Sequence, residues 1–192
     1  MVARTSHCRS SRLGTRAILT LSLLGAALAL PGTLAAVEDS YAALALVRLT
    51  PPGAAKEFTT PAPGGGAVSL ASYRGRVVLL NFWATWCPPC LVEMPAMERL
   101  HGRLRDKGLV VLAISLDADS EAVVAPFLKE HGFTFPVGLD PQQRVGSLYG
   151  VRALPSTFLL DKKGRVVAQA LGPREWDGPA GLAVIDALLA QP

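Results

Sequence analysis

Cysteine is scarce: the 192-residue chain holds three, Cys8, Cys87 and Cys90. That is too few for the several bridges that staple a small secreted domain lacking a proper core. Histidine is equally sparse, and beyond the N-terminal region only His101 and His131 remain, neither at a ligand-like spacing from a cysteine. A zinc site needs about four ligands, so no metal site is expected, and both histidines read as surface residues near helix ends. No internal repeat is present, and no dense basic patch with interleaved aromatics. The 19 Lys and Arg do outnumber the 15 Asp and Glu, but Arg4, Arg9, Arg12 and Arg16 account for the excess; setting those four aside leaves 15 against 15. The net charge of +4 therefore belongs to the N-terminus, and a nucleic-acid partner is not expected.

What the chain does have is apolar content, 50% of its residues, enough for one compact domain with an appendage. The four arginines precede an uncharged apolar run from Ala17 to Ala36, the n-region and h-region of an export signal. Thr33 with Ala35, or Leu34 with Ala36, has the spacing a signal peptidase uses. The run is also near the roughly 20 residues that span a bilayer. Residues 1–36 are thus expected to be a cleaved signal peptide or a retained membrane anchor, and either places the rest outside the cytoplasm. Cys8 leaves with the signal or stays on the cytoplasmic side, so the exported part has one cysteine pair.

Residues 37–55, rich in Ala and Pro and containing Pro51-Pro52-Gly53, read as a tether, and 56–192 as the folded domain. Phe58-Thr59 and Ala67 to Leu70 flank a Pro/Gly turn and suggest a hairpin. Val77 to Trp83 is nearly continuous in apolar residues, as in a central strand buried on both faces. A helix is expected from about Pro88 to Arg105, with Met94, Met97, Leu100 and Leu104 on its inner face and a kink at Pro95. Beyond it come a strand (109–114), a helix from Ser120 to His131 interrupted or bent by Pro126, a short strand (135–139), a short helix (142–149), a strand hairpin (157–170) and a closing helix (177–189). This alternation predicts an α/β fold, a mixed sheet covered on both faces.

Two cysteines three apart are a weak signal taken alone; their position strengthens it. Cys87 follows a buried strand and opens a helix, where unpaired backbone N–H groups and the positive end of the helix dipole favour a thiolate. Cys90 is one turn further in, within disulfide reach. Cys87 is accordingly expected to attack and Cys90 to resolve. Pro88 and Pro89 suit a first helical turn, where a missing N–H costs little.

The run Asn81-Phe82-Trp83-Ala84-Thr85-Trp86-Cys87-Pro88-Pro89-Cys90, with Pro95 five residues on, resembles the thioredoxin superfamily. Gly150 to Phe158, containing Leu154-Pro155, resembles that family's loop, whose proline is cis and packs beside the cysteines. The TlpA/ResA-like extracytoplasmic branch is the nearer likeness, over roughly Lys56 to Leu189. The resemblance implies a thioredoxin-like three-layer sandwich with an N-terminal hairpin and a central helix-strand insertion, at about 126–139. It also implies a periplasmic or cell-surface thiol-disulfide oxidoreductase without a cofactor that reduces disulfides in client proteins, such as cytochrome c precursors or copper-site proteins. A membrane electron-donating thiol-disulfide protein would recharge it. Pro155 is then a site residue, and Trp86, Pro88 and Leu154 form the client-docking surface. The chain is expected to act as a monomer.

One position departs from cytoplasmic thioredoxins: Asn81 stands where they carry a buried aspartate, and it cannot take a proton from Cys90. Glu93, on the helical face of Cys90, is the substitute, since ResA-like proteins carry a glutamate there; a solvated helix residue is the competing reading. Trp83 is expected in the core and Trp176 to serve packing only. Three other activities stay open. An oxidase would use the same residues, with direction set by reduction potential. A peroxiredoxin-type peroxidase normally has a threonine three residues before its cysteine, where Ala84 stands here. A copper carrier typically spaces its cysteines one residue wider.

Overall fold

The structure is a computed structural model that describes residues 31–192 together with Val2 and Ala3. The four N-region arginines, Cys8 and most of the apolar run of the expected export segment lie outside the described residues. Among the described residues no helix is long and apolar enough to cross a membrane.

The central strand forms as its composition requires. β4 (Val77–Trp83) is buried at every position, and its pleat sends alternate side chains to opposite faces. Val77, Leu79 and Trp83 join one core, Val78, Leu80 and Phe82 the other. Full burial of side chains of this size is worth about 1.5–3 kcal/mol each. The same alternation puts Asn81 on the face of Leu79 and Trp83.

Around β4 a six-stranded sheet is built in the order β1 (Val47–Ala54), β8 (Arg165–Leu171), β7 (Ser156–Leu160), β4, β5 (Leu109–Ser115), β6 (Val137–Leu139). β4, β5 and β6 run parallel, while β7, β8 and β1 add antiparallel neighbours. A separate two-stranded hairpin, β2 (Thr59–Pro61) with β3 (Ala67–Ser69), is the expected one. It packs beside β6, where the Thr60 hydroxyl donates to the Leu139 carbonyl.

One face of the sheet carries α1 (Pro31–Ala43), α2 (Pro88–Leu104), α3 (Ser120–His131) and α5 (Pro179–Leu189), whose Tyr41, Met94, Met97, Leu100, Val124, Val184, Ile185 and Leu188 form one cluster with β4 and β5. The other face is covered by the β2–β3 hairpin and α4 (Arg144–Leu148) through Phe58, Val68, Leu70 and Val145. This is the α/β, three-layer thioredoxin-like arrangement, with α3 and β6 between β5 and the Pro155 loop as the inserted helix and strand. α2 and α3 run without a break through Pro95 and Pro126. Each proline costs its helix one backbone donor, and buried Met94, Met97 and Val124 hold both helices to the core.

The tether expected over 37–55 is corrected. Its first part belongs to α1, where Tyr41 is buried, as is Leu44 just beyond it, and 47–54 is the edge strand β1 paired with β8. The strand was hidden by Pro51 and Pro52, which fall where the β1–β8 register shifts between Arg48 and Gly53. An edge strand tolerates proline at such an irregularity because no ladder donor is lost. His101 is a second correction, being buried edge-on to Phe135, with burial lowering its pKa. His131 is exposed as expected, stacked on Phe127.

Candidate active site

Cys87 caps α2: its backbone is extended, Pro88 and Pro89 fill the first helical positions, and Cys90 follows one turn in. The two sulfurs are joined in a disulfide, with the Cα atoms 5.3 Å apart. The two prolines sharpen the electrostatics. They remove two of the amides that a helix tip ordinarily offers, so the Cys90 N–H, 3.3 Å from Cys87 Sγ, is the one aimed at the sulfur. Cys90 is fully buried and Cys87 nearly so, while neighbouring Trp86 is 65% exposed.

A groove of about 420 Å³ opens over Cys87, lined by Trp86, Pro88, Leu116, Gln143, Arg152 and Leu154 among others. The Leu154–Pro155 peptide is cis, and Pro155 is buried at the start of β7. The groove thus brings Trp86, Cys87 and Pro88 together with Leu154 from two separated motifs, with Cys90 bonded to Cys87 and Pro155 following Leu154 in the chain. Trp83 is core, as expected, and lies against Phe127 with ring centroids 5.4 Å apart.

Glu93 is 1% exposed, so it is not a solvated helix residue. Its Oε1 accepts from Asn81 Nδ2 at 2.8 Å, and its Oε2 from the Arg174 amide at 3.0 Å and the Trp176 indole N–H at 3.1 Å. These donors and the Arg174 charge favour the carboxylate, but desolvation outweighs them and raises the pKa to about 7. A carboxyl at that value can take or give a proton near neutral pH.

The sequence reading missed three residues. Trp176, assigned to packing alone, is buried and donates to Glu93. The available signal was a lone large aromatic in the polar run Pro173-Arg174-Glu175-Trp176-Asp177, since a buried indole N–H needs an acceptor. Arg174 acts through its amide, and its guanidinium donates to the Leu44 carbonyl. Asp117, also buried, accepts from the Thr85 amide, the Thr85 hydroxyl (2.6 Å) and the Ser115 hydroxyl (2.7 Å), tying the loop before Cys87 to the end of β5. No sequence pattern pointed to Asp117. Among the described residues no group of three or more His, Cys, Asp or Glu side chains could hold a metal ion.

A cysteine pair at the tip of a helix that follows a buried central strand, facing a cis-proline loop on a mixed sheet, defines a thioredoxin-superfamily protein. The chain belongs to the AhpC/TSA family, whose model matches residues 52–169. It is 41% identical over 108 residues to the thiol-disulfide oxidoreductase ResA of Bacillus thuringiensis (strain Al Hakam), a match covering 56% of this chain and 62% of that protein. Among solved structures, a candidate thiol:disulfide interchange protein DsbE from Chlorobium tepidum superposes with a TM-score of 0.67 at 36% identity, covering 72% of this chain and 97% of the other. A DsbF homologue from Corynebacterium diphtheriae gives a TM-score of 0.66 at 29% identity, covering 74% and 92%.

Proposed function

We propose that this chain is an extracytoplasmic thiol-disulfide oxidoreductase that reduces disulfides in client proteins, with Cys87 attacking, Cys90 resolving and Glu93 accepting the proton of Cys90. The observation that carries the reading is the Cys87–Cys90 pair at the head of α2, opening on the Leu154–Pro155 groove, with a buried carboxyl one turn beyond Cys90. In the reduced state the Cys87 thiolate attacks a client disulfide, forming a mixed disulfide and expelling one client thiolate. Cys90 then passes its proton to Glu93 and attacks Cys87 Sγ, which breaks the mixed disulfide and releases the second client thiolate. The client gains two electrons and the Cys87–Cys90 disulfide is left. A membrane electron-donating thiol-disulfide protein returns it to the dithiol.

Pro155 and Leu154 present the client segment to Cys87, and Trp86 and Pro88 supply apolar contact on the other side of the groove. The clients are disulfide-bearing proteins, such as cytochrome c precursors or copper-site proteins. The N-terminal segment places the domain outside the cytoplasm, as a cleaved signal or as an anchor. A peroxiredoxin-type peroxidase lacks support in the site: Ala84 is three residues before Cys87, and the next hydroxyl, that of Thr85, is committed to Asp117.

The test is trapping. Cys90→Ser should accumulate a mixed disulfide with insulin through Cys87, while Cys87→Ser accumulates none, and wild type should reduce insulin without consuming peroxide. Trapping through Cys90 would overturn the role assignment.

A further inference from the structure

Glu93 is held unevenly. Oε1 has one donor, Asn81 Nδ2 from β4, whereas Oε2 has two, the Arg174 amide and the Trp176 indole N–H, both from the loop between β8 and α5. An indole N–H and a backbone amide can donate but never accept. A proton on Oε2 would therefore face two further protons, while on Oε1 it meets a side chain that can reverse its role. Asn81 Oδ1 is buried and without a partner, and its Nδ2 also donates to the Thr157 hydroxyl at 2.9 Å. A half-turn of the Asn81 amide presents Oδ1 to a protonated Oε1 and lets the Thr157 hydroxyl donate instead. We propose that Trp176 is a positioning residue whose indole N–H, together with the Arg174 amide, confines the proton of Glu93 to Oε1 and fixes the carboxyl beside Cys90.

The loop is built to hold that donor still. Trp176 is completely buried. On one side of it the Arg174 guanidinium donates to the carbonyls of Leu44 and Ala45, just past α1. On the other, Asp177 accepts from Arg99 of α2 at 2.6 Å. Beneath it Gly181 of α5 packs so closely that a Cβ there would collide with the Trp176 carbonyl. The groups facing Glu93 are Asn81 from β4, Thr157 of β7 through Asn81, and Arg174 and Trp176 from the loop, with Cys90 one turn earlier on its own helix; Arg174 is the charge that acts on it.

The inference rests on the reading of Glu93 as proton acceptor, and the experiment separates the two. In the full oxidised chain, Trp176 is replaced by Phe and by 3-benzothienylalanine, which keeps the bicyclic shape but has sulfur in place of the N–H. The titration of the Glu93 carboxyl is followed by carbon-13 NMR on labelled glutamate, with Glu93→Gln assigning the resonance. Loss of a hydrogen bond to the charged form should raise the midpoint by about one pH unit in both variants. In a Glu93→Gln background, Trp176→Phe should leave the pH profile of insulin reduction unchanged. An unmoved midpoint in the folded benzothienyl variant overturns the positioning role. A midpoint that moves in the two variants while their pH-rate profile for insulin reduction matches that of wild type upholds the hold of Trp176 on Glu93 and overturns the proton-acceptor reading.

Discussion

At the residue scale the proposed chemistry turns on Glu93, a carboxyl whose ionisation is opposed by burial. Its pKa is raised from 4.5 to about 7, so the protonated form is the one the fold favours. That contribution is fully present below pH 4.5, where the unfolded chain is protonated too, and is lost as the pH rises to about 7. Glu93→Gln removes the dependence. In urea titrations at pH 4.5 and pH 8, the stability of wild type relative to this variant should fall by roughly 3 kcal/mol between the two. A constant difference would mean the carboxyl titrates normally. Asp117 makes a separate prediction. Asp117→Ala strands the Thr85 amide and frees the loop that carries Trp86 and Cys87, costing about 1–3 kcal/mol and slowing insulin reduction. An unchanged rate would remove the loop from the account. The cysteine pair was legible because its logic is local, three residues on one helix. Trp176 and Asp117 were not, since their partners lie 83 and 32 residues away and only the fold brings them together.

At the element scale, helices and strands with strong apolar patterns were readable close to their ends: α3 spans Ser120–His131, as its sequence suggests, and β4 runs Val77–Trp83. α1 and β1 were not. Their composition is that of a linker, and what makes them structure is tertiary: Tyr41 and Leu44 buried in the core shared with α5, and β8 in need of a partner for its outer edge. Deleting every residue before Lys56 should therefore lower Tm markedly and promote aggregation through the bared β8 edge, where removal of a tether would leave Tm unchanged. Gly181→Ala tests the seat of α5 on the Trp176 loop. The collision with the Trp176 carbonyl should cost about 1–3 kcal/mol, or about 2–4 °C per kcal/mol in a thermal melt of a chain this size.

At the scale of the whole molecule, the sheet brings two motifs nearly 70 residues apart to one groove. The cis peptide at Leu154–Pro155 was expected from family likeness alone, because X-Pro bonds are predominantly trans and no sequence pattern overrides that. Direction of electron flow is a property at this scale too, since the dithiol and disulfide forms differ through the whole environment of the pair, including the helix tip at Cys87 and the buried carboxyl of Glu93. A titration of the Cys87/Cys90 couple against dithiothreitol or glutathione at pH 7 tests the central claim most directly. A reversible two-electron couple with its midpoint below about −230 mV, in the range of thioredoxin and the more reducing glutaredoxins, is the predicted result. A midpoint above about −180 mV, at or beyond that of disulfide isomerase, would contradict it and make the protein an oxidant.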